Sequence, residues 1–372
     1  MRGNYTCPYL IKIVDGGIKG GQRQTMCRLV SVGTAEIPYK VSQEELRSEA
    51  QAILSPPGRA NERIFGVFDN ALLEKRNLVN PPDWYKAERG FAERSECFVR
   101  SGLKISRSAV DKCIANYGGS YSDFDHIIFV TSTGISAPTI DALLLNDLKL
   151  DTHLTRTPVW GLGCAGGAAG ISRAMDYCRA HPDRSALLLA LEICSLAFHS
   201  EDTSKSGIVA SALFSDGAAA ALIVGKRHKL HGLDGLNVSD SLSTTYHNTL
   251  DVMGWEVIED GLKPIFSKDI PLIVRERLRS NIEELLAANS LGFKDLTHYL
   301  AHPGGARVLM EYESALGLED GYLIHSRSVL RNHGNMSSPT VLYVIGEFLG
   351  SKNYKSGDKG IRSALGPGFS SE

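Results

Sequence analysis

The stretch GLGCAGGAAG, Gly161 to Gly170, sets Cys164 among five glycines and three alanines. It follows the apolar Pro158-Val159-Trp160 and runs into a helical pattern, so it reads as strand, tight turn, helix. Glycines let the chain turn sharply and come close to whatever the turn faces. A helix opening there leaves free backbone N–H groups and the positive end of its dipole beside the sulfur. Such surroundings lower a thiol pKa from its ordinary value of about 8.5. The same composition also serves a plain tight turn with the cysteine as filler, so the rest of the chain has to decide.

Working outward, RNHGNMSSPTVLYVI in the second half repeats the order of extended segment, Gly turn, small residues and helix. Short apolar runs predict strands at 126–132, 186–194, 218–224 and 297–301, and MCRLVSVGTAEIP is β-like. Helical patterns fall at 139–148, 168–179, 273–288 and 337–348. A capping box of Ser42 and Glu45 opens another helix, and 93–117 is helical with a break at Gly102. Strands buried on both faces and alternating with helices make an α/β fold with mixed or parallel sheets. The two matching turns divide the chain into an irregular extension over 1–25 and two related halves, 26–225 and 226–372.

The 372 residues carry 40 basic and 42 acidic side chains, with no basic cluster longer than Lys226-Arg227-His228-Lys229, which argues against a nucleic-acid partner and for a small-molecule substrate. Seven cysteines without CxxC spacing read as free thiols in a reducing compartment, with no structural zinc, and Cys27, Cys113, Cys178 and Cys194 as buried small hydrophobes. No apolar run approaches the ~20 residues of a membrane span, and the N-terminus lacks the pattern of a secretory signal. The cytoplasm is the expected location.

A nucleophilic cysteine needs a base or ion-pair partner and donors for a carbonyl oxygen. His302 ends the apolar HYLA run, Pro303 stops that strand, and two glycines open the next helix. Asn335 sits in the matching turn of the second half, as a helix cap or as an amide donor into a pocket. Cys164, His302 and Asn335, each at a strand-to-helix turn, would meet at the carboxyl ends of the strands.

Taken in order, GLGCAGGAAG, LFSDGAAAALIVG, AHPGGARVL, GNMSSPTVLYVI and ALGPGF resemble the thiolase-fold condensing enzymes, in particular the type III polyketide synthases, from about Cys27 to the end. The resemblance implies a thiolase-like fold, a duplicated five-layered αβαβα architecture with mixed sheets. It implies that Cys164 takes an acyl group from CoA, that His302 holds the thiolate and contacts the carbonyl, and that Asn335 joins His302 in stabilising the enolate of decarboxylated malonyl-CoA. Phe214 would line the passage between CoA tunnel and cavity. Gly254, Ser337, Gly366, Pro367, Gly368 and Phe369 would belong to the cavity, Gly304 and Gly305 would border the CoA pantetheine arm, and Arg59 and Arg63 would meet CoA phosphates. Acyl-CoA and malonyl-CoA would be substrates, with no cofactor, and the chain would form a homodimer without membrane insertion.

Pro264 stands where plant members carry a second gatekeeping phenylalanine, Ala137 where they carry a methionine reaching into the partner's cavity, and Ala197 where they carry a threonine. With the alanine- and glycine-rich surroundings of Cys164, these departures resemble the bacterial group that turns long-chain fatty acyl-CoA into alkylpyrones or alkylresorcinols. The family continues past GPGFSSE with a short apolar strand, so the chain is expected to be truncated after Glu372. Competing readings are a β-ketoacyl carrier-protein synthase III, a hydroxymethylglutaryl-CoA synthase and, from another class, a cysteine hydrolase.

Overall fold

The computed structural model describes residues 11–12, 27–54 and 62–372. Its strands His126–Thr131, Ser185–Ile193 and Asp216–Gly225 are buried at every position. That is why their sequences are apolar runs rather than alternations: both faces of the sheet are covered. They form the middle of a seven-stranded mixed sheet completed by Cys27–Thr34, Leu236–Val238, Ile11–Lys12 and Thr155–Trp160. His126–Thr131 runs parallel to both neighbours, whereas Ser185–Ile193, Asp216–Gly225 and Cys27–Thr34 are successively antiparallel. Thr155–Trp160 is the edge strand, and its side chains are largely exposed.

Helices Phe91–Tyr117 and Ile140–Asp147 cover one face of the sheet, in a core that includes Phe98, Ile105, Leu144 and Leu189. The break expected at Gly102 is absent: the helix is continuous, and a Cβ at Gly102 would stand 2.9 Å from Leu191 Cδ2. Glycine is there for close packing on the sheet, not to end the helix. Helices Gly166–Ala180 and Pro339–Ser351 cover the other face, sharing a core with Val130, Leu188 and Ala219. Each such Leu, Ile or Val side chain withdrawn from water contributes about 1.5–3 kcal/mol.

Beyond this central helical layer lies the parallel pair His298–Ala301 and Gly360–Ser363. Helices Ile270–Ala288 and Ala306–Leu316 close the far side in a core with Tyr299 and Phe369. The order is helix, sheet, helix, sheet, helix, as expected. Ser42 Oγ accepts from Glu45 N at 3.1 Å, the expected cap of helix Gln43–Leu54. Of the extension expected over 1–25, only Ile11–Lys12 is described, as a strand paired with Val238 and Asn237.

Candidate active site

Cys164 occupies a single 3-10 turn, Gly163–Ala165, that leads directly into helix Gly166–Ala180. Gly161 and Gly163 have φ of 94° and 48°, a region costly for residues with a Cβ. The ALGPGF segment presses on this turn: a Cβ at Gly366 would lie 2.4 Å from Leu162 O, and one at Gly163 would lie 2.6 Å from Pro367 Cδ. On the other side a Cβ at Gly167 would be 2.2 Å from Ser338 O. The small residues around the cysteine therefore let the second Gly turn, 334–338, approach to backbone contact.

Asn335 is fixed by its main chain, donating to Leu213 O (3.0 Å) and accepting from Ser215 N (2.9 Å), on either side of Phe214. Its amide is oriented by two further bonds: Oδ1 accepts from Ser337 N at 2.8 Å, and Nδ2 donates to Gly304 O at 3.2 Å. Oδ1 also faces Cys164 Sγ at 3.9 Å. His302 is set by its backbone N–H, which donates to Ser363 O at 2.7 Å, and its carbonyl accepts from Gly304 N at 3.1 Å. Neither ring nitrogen of His302 has a hydrogen-bond partner in this closed interior. The Asn335 amide thus meets Cys164 Sγ on one side and, on the other, the carbonyl of Gly304, two residues after His302, and all three expected residues are buried.

Burial sets the electrostatics. It pushes the Cys164 thiol up to about 11, with the Glu192 charge adding to it and hydrogen bonds from Ser337 and Asn335 opposing it. The lowered thiol pKa expected from the helix terminus is not found, because removal from water outweighs a dipole. His302 is pushed down to about 3, again by burial. Thiol and imidazole are both neutral in this geometry, and the imidazole keeps its hydrogen-bonding capacity for a reacting group.

Glu192 is a site residue that the sequence reading missed. Its buried carboxylate accepts from Ser132 N (2.9 Å), Thr133 Oγ1 (2.8 Å) and Ser338 Oγ (2.8 Å), and burial raises its pKa to about 7. The one available signal was an acid inside the otherwise apolar run ALLLALEI.

A cavity partly open to solvent, with about 790 Å³ of empty space counting its open part, adjoins the site. Phe214 connects the two, lining the cavity with its side chain while its neighbours pair with Asn335. Ala197 and Pro264 also line it. Gly254 does not; its neighbour Trp255 does, with its ring 6.0 Å from that of Phe214. Ala137 is exposed and away from the lining, and Gly366, Pro367, Gly368 and Phe369 support the Cys164 turn or the adjoining core. Ser337, with φ of 57°, belongs to the Cys164–Asn335 contact. Arg59 and the side chain of Arg63 lie outside the described residues. Among the described residues no group of side chains could hold a metal ion, and no helix is long and apolar enough to cross a membrane.

Residues 70–227 match the family model for chalcone and stilbene synthases, N-terminal domain, and residues 238–372 match the C-terminal domain of the same family. A putative chalcone synthase of Bacillus subtilis (strain 168) is 39% identical over 355 residues, covering 93% of this chain and 97% of the relative. The 1,3,6,8-tetrahydroxynaphthalene synthase of Streptomyces peucetius subsp. caesius is 32% identical over 356 residues, covering 95% and 94%. The crystal structure of the bacterial type III polyketide synthase 1,3,6,8-tetrahydroxynaphthalene synthase from Streptomyces coelicolor A3(2) superposes with a TM-score of 0.85 at 26% identity, over 92% of this chain and 97% of that one.

Proposed function

The chain belongs to the chalcone and stilbene synthase family, the type III polyketide synthases, and we propose that it extends a long-chain fatty acyl-CoA with malonyl-CoA and closes the product to an alkylpyrone or alkylresorcinol. Enzymes of this family are acyltransferases that condense acyl-CoA units, so the carrier-protein synthase III, hydroxymethylglutaryl-CoA synthase and cysteine hydrolase readings are set aside.

In this reading Cys164 Sγ attacks the acyl-CoA carbonyl, its proton passes to the unpartnered imidazole of His302, and His302 returns the proton to the departing CoA sulfur. Malonyl-CoA then loses carbon dioxide. The resulting enolate oxygen accepts from His302 and from the second N–H of Asn335 Nδ2, the first being spent on Gly304 O. The enolate carbon attacks the Cys164 thioester, the C–S bond breaks, and the extended chain leaves on CoA. Burial of all three residues keeps water from hydrolysing the thioester. Gly304 and Gly305 would border the pantetheine arm, and Arg59 and Arg63 would meet its phosphates. No cofactor is required, and the active form is a homodimer.

The observation that carries the choice of starter is the cavity wall. Leu46, Ala50, Ile53, Leu78 and Phe198 make it apolar, and Ala197 and Pro264 leave it unnarrowed. Each methylene buried there is worth about 0.8 kcal/mol, so a long tail binds without polar contacts. Product analysis by mass spectrometry, with malonyl-CoA and a panel of long-chain, short-chain and aromatic acyl-CoA starters, tests it. Long-chain starters are expected to yield alkylpyrones or alkylresorcinols. Product from short or aromatic starters, or from malonyl-CoA alone, with none from long chains overturns the reading.

A further inference from the structure

Among the described residues, the hairpin of Met253–Ile258 and Gly261–Phe266 pairs with no third strand. Residues directly opposite in an antiparallel pair share a face. Trp255 stands opposite Pro264 and both line the cavity, so this face of the hairpin is part of its wall. Glu256 and Lys263, the next pair along, carry their charges on the other face. The Trp255 ring is 6.0 Å from that of Phe214, which also meets Phe266 edge-on at 6.1 Å. Phe214 lies between Leu213 and Ser215, the two residues that hydrogen-bond the main chain of Asn335. The half-buried indole therefore stands where the cavity meets the catalytic turn.

The indole differs from the two phenylalanine rings by its Nε1–H, a donor with no acceptor capacity. Trp160 Nε1 donates to Gly134 O at 3.2 Å, but Trp255 Nε1 makes no hydrogen bond with the described residues. Other polar groups of the wall are already spent within the protein. Ser195 Oγ donates to Asp216 at 2.7 Å and contacts Tyr85 Oη at 2.7 Å, Ser211 Oγ donates to Gly207 O at 2.8 Å, and Arg76 Nη1 donates to Phe214 O at 3.0 Å. An indole N–H withdrawn from water needs an acceptor. Water supplies it while the cavity is open, and a ligand that fills the cavity has to replace it. An alkyl chain has no atom for this, whereas a carbonyl oxygen does.

In the reaction proposed above, the starter brings one carbonyl, the thioester attacked by Cys164. Each condensation adds a 3-oxo group two carbons further out, on the side of the chain that enters the cavity past Phe214. We propose that Trp255 Nε1 donates to the oxo oxygen of the extended chain, so that a 3-oxoacyl thioester is held more tightly than the unextended acyl thioester competing with it. Trp255 then determines specificity in the later rounds, favouring another condensation on a chain already extended. The inference rests on the reading of the cavity as the acyl-chain site.

Binding is measured by calorimetry on Cys164→Ala protein, which forms no acyl-enzyme. The probes are a 3-oxoacyl-CoA and the plain acyl-CoA of the same length, in one long-chain and one short-chain pair. The 3-oxo member is expected to bind about fivefold to tenfold more tightly. Adding Trp255→Phe, which keeps a ring beside Phe214 and removes the N–H, is expected to bring that ratio to one. Trp255→His, which keeps a ring N–H, is expected to retain part of it. The ratio cancels any general loss of binding. With Cys164 in place, Trp255→Phe is expected to shift the products toward fewer extensions in mass spectrometry. Equal binding of the two thioesters to Cys164→Ala protein, a preference that survives Trp255→Phe, or products of unchanged length overturns the proposal. A ratio of one in both Trp255 variants would assign the preference to ring size and overturn it too. The ratio is read within each chain length, so weaker binding of long chains than of short ones counts against the proposed starter and not against Trp255.

Discussion

His302 is placed by its backbone, through the bond to Ser363 O, while its ring makes no hydrogen bond at all. A buried polar group left unpaired costs about 1–3 kcal/mol, a strain the fold tolerates where a reacting group will supply the partner. The neighbouring thiol is the measurable counterpart. Burial disfavours the charged form, which raises a thiol pKa, and an imidazole that takes the proton acts in the opposite direction. We expect the pH midpoint for alkylation of Cys164 by iodoacetamide to lie near 11 in the unaltered chain and higher in His302→Gln protein. Identical midpoints would show that His302 does not serve the sulfur. Cys164, His302 and Asn335 were legible in the sequence because each stands at a turn whose glycines and proline mark it. Glu192 was not, because its partners Ser132 and Ser338 are 60 and 146 residues away and nothing local announces them.

At the scale of elements, the site depends on how closely helices Gly166–Ala180 and Pro339–Ser351 approach. Gly167 faces a backbone oxygen, Ser338 O, which cannot rotate aside as a side chain would. Gly167→Ala is therefore expected to lower stability by about 2 kcal/mol or more, read as an earlier midpoint in urea unfolding. Because Ser337 N orients the Asn335 amide, it should also cut condensation more than tenfold in protein that remains folded. A variant with unchanged midpoint and rate would show that the contact is not rigid. Strand and helix positions were readable because doubly buried strands form unbroken apolar runs and the long helices keep their period. Gly102 misled for a physical reason: a glycine that ends a helix and a glycine that lets a helix touch a sheet look alike until Leu191 is seen opposite. Tyr85, Ser195 and Asp216 were equally hidden, since their hydrogen bonds join segments 21 and 110 residues apart.

For the whole molecule, the exposed edge strand Thr155–Trp160 leaves a row of main-chain groups open beside the half-exposed Trp160 and Ile135. Such an edge invites pairing with a second copy about a two-fold axis. The chain is expected to sediment at twice 40.4 kDa, and Thr155→Lys with Thr157→Lys, which sets like charges face to face, to shift it toward the monomer. A single 40.4 kDa species from the unaltered chain at micromolar concentration would exclude this interface. The contact between Cys164 and Asn335 closes a span of 171 residues, and that distance has a meaning in time. At roughly 5–20 residues added per second, the cysteine leaves the ribosome about 10–30 s before its asparagine exists. For that interval the nascent chain carries an ordinary thiol with no enolate site, so chemistry waits for the last tenth of translation.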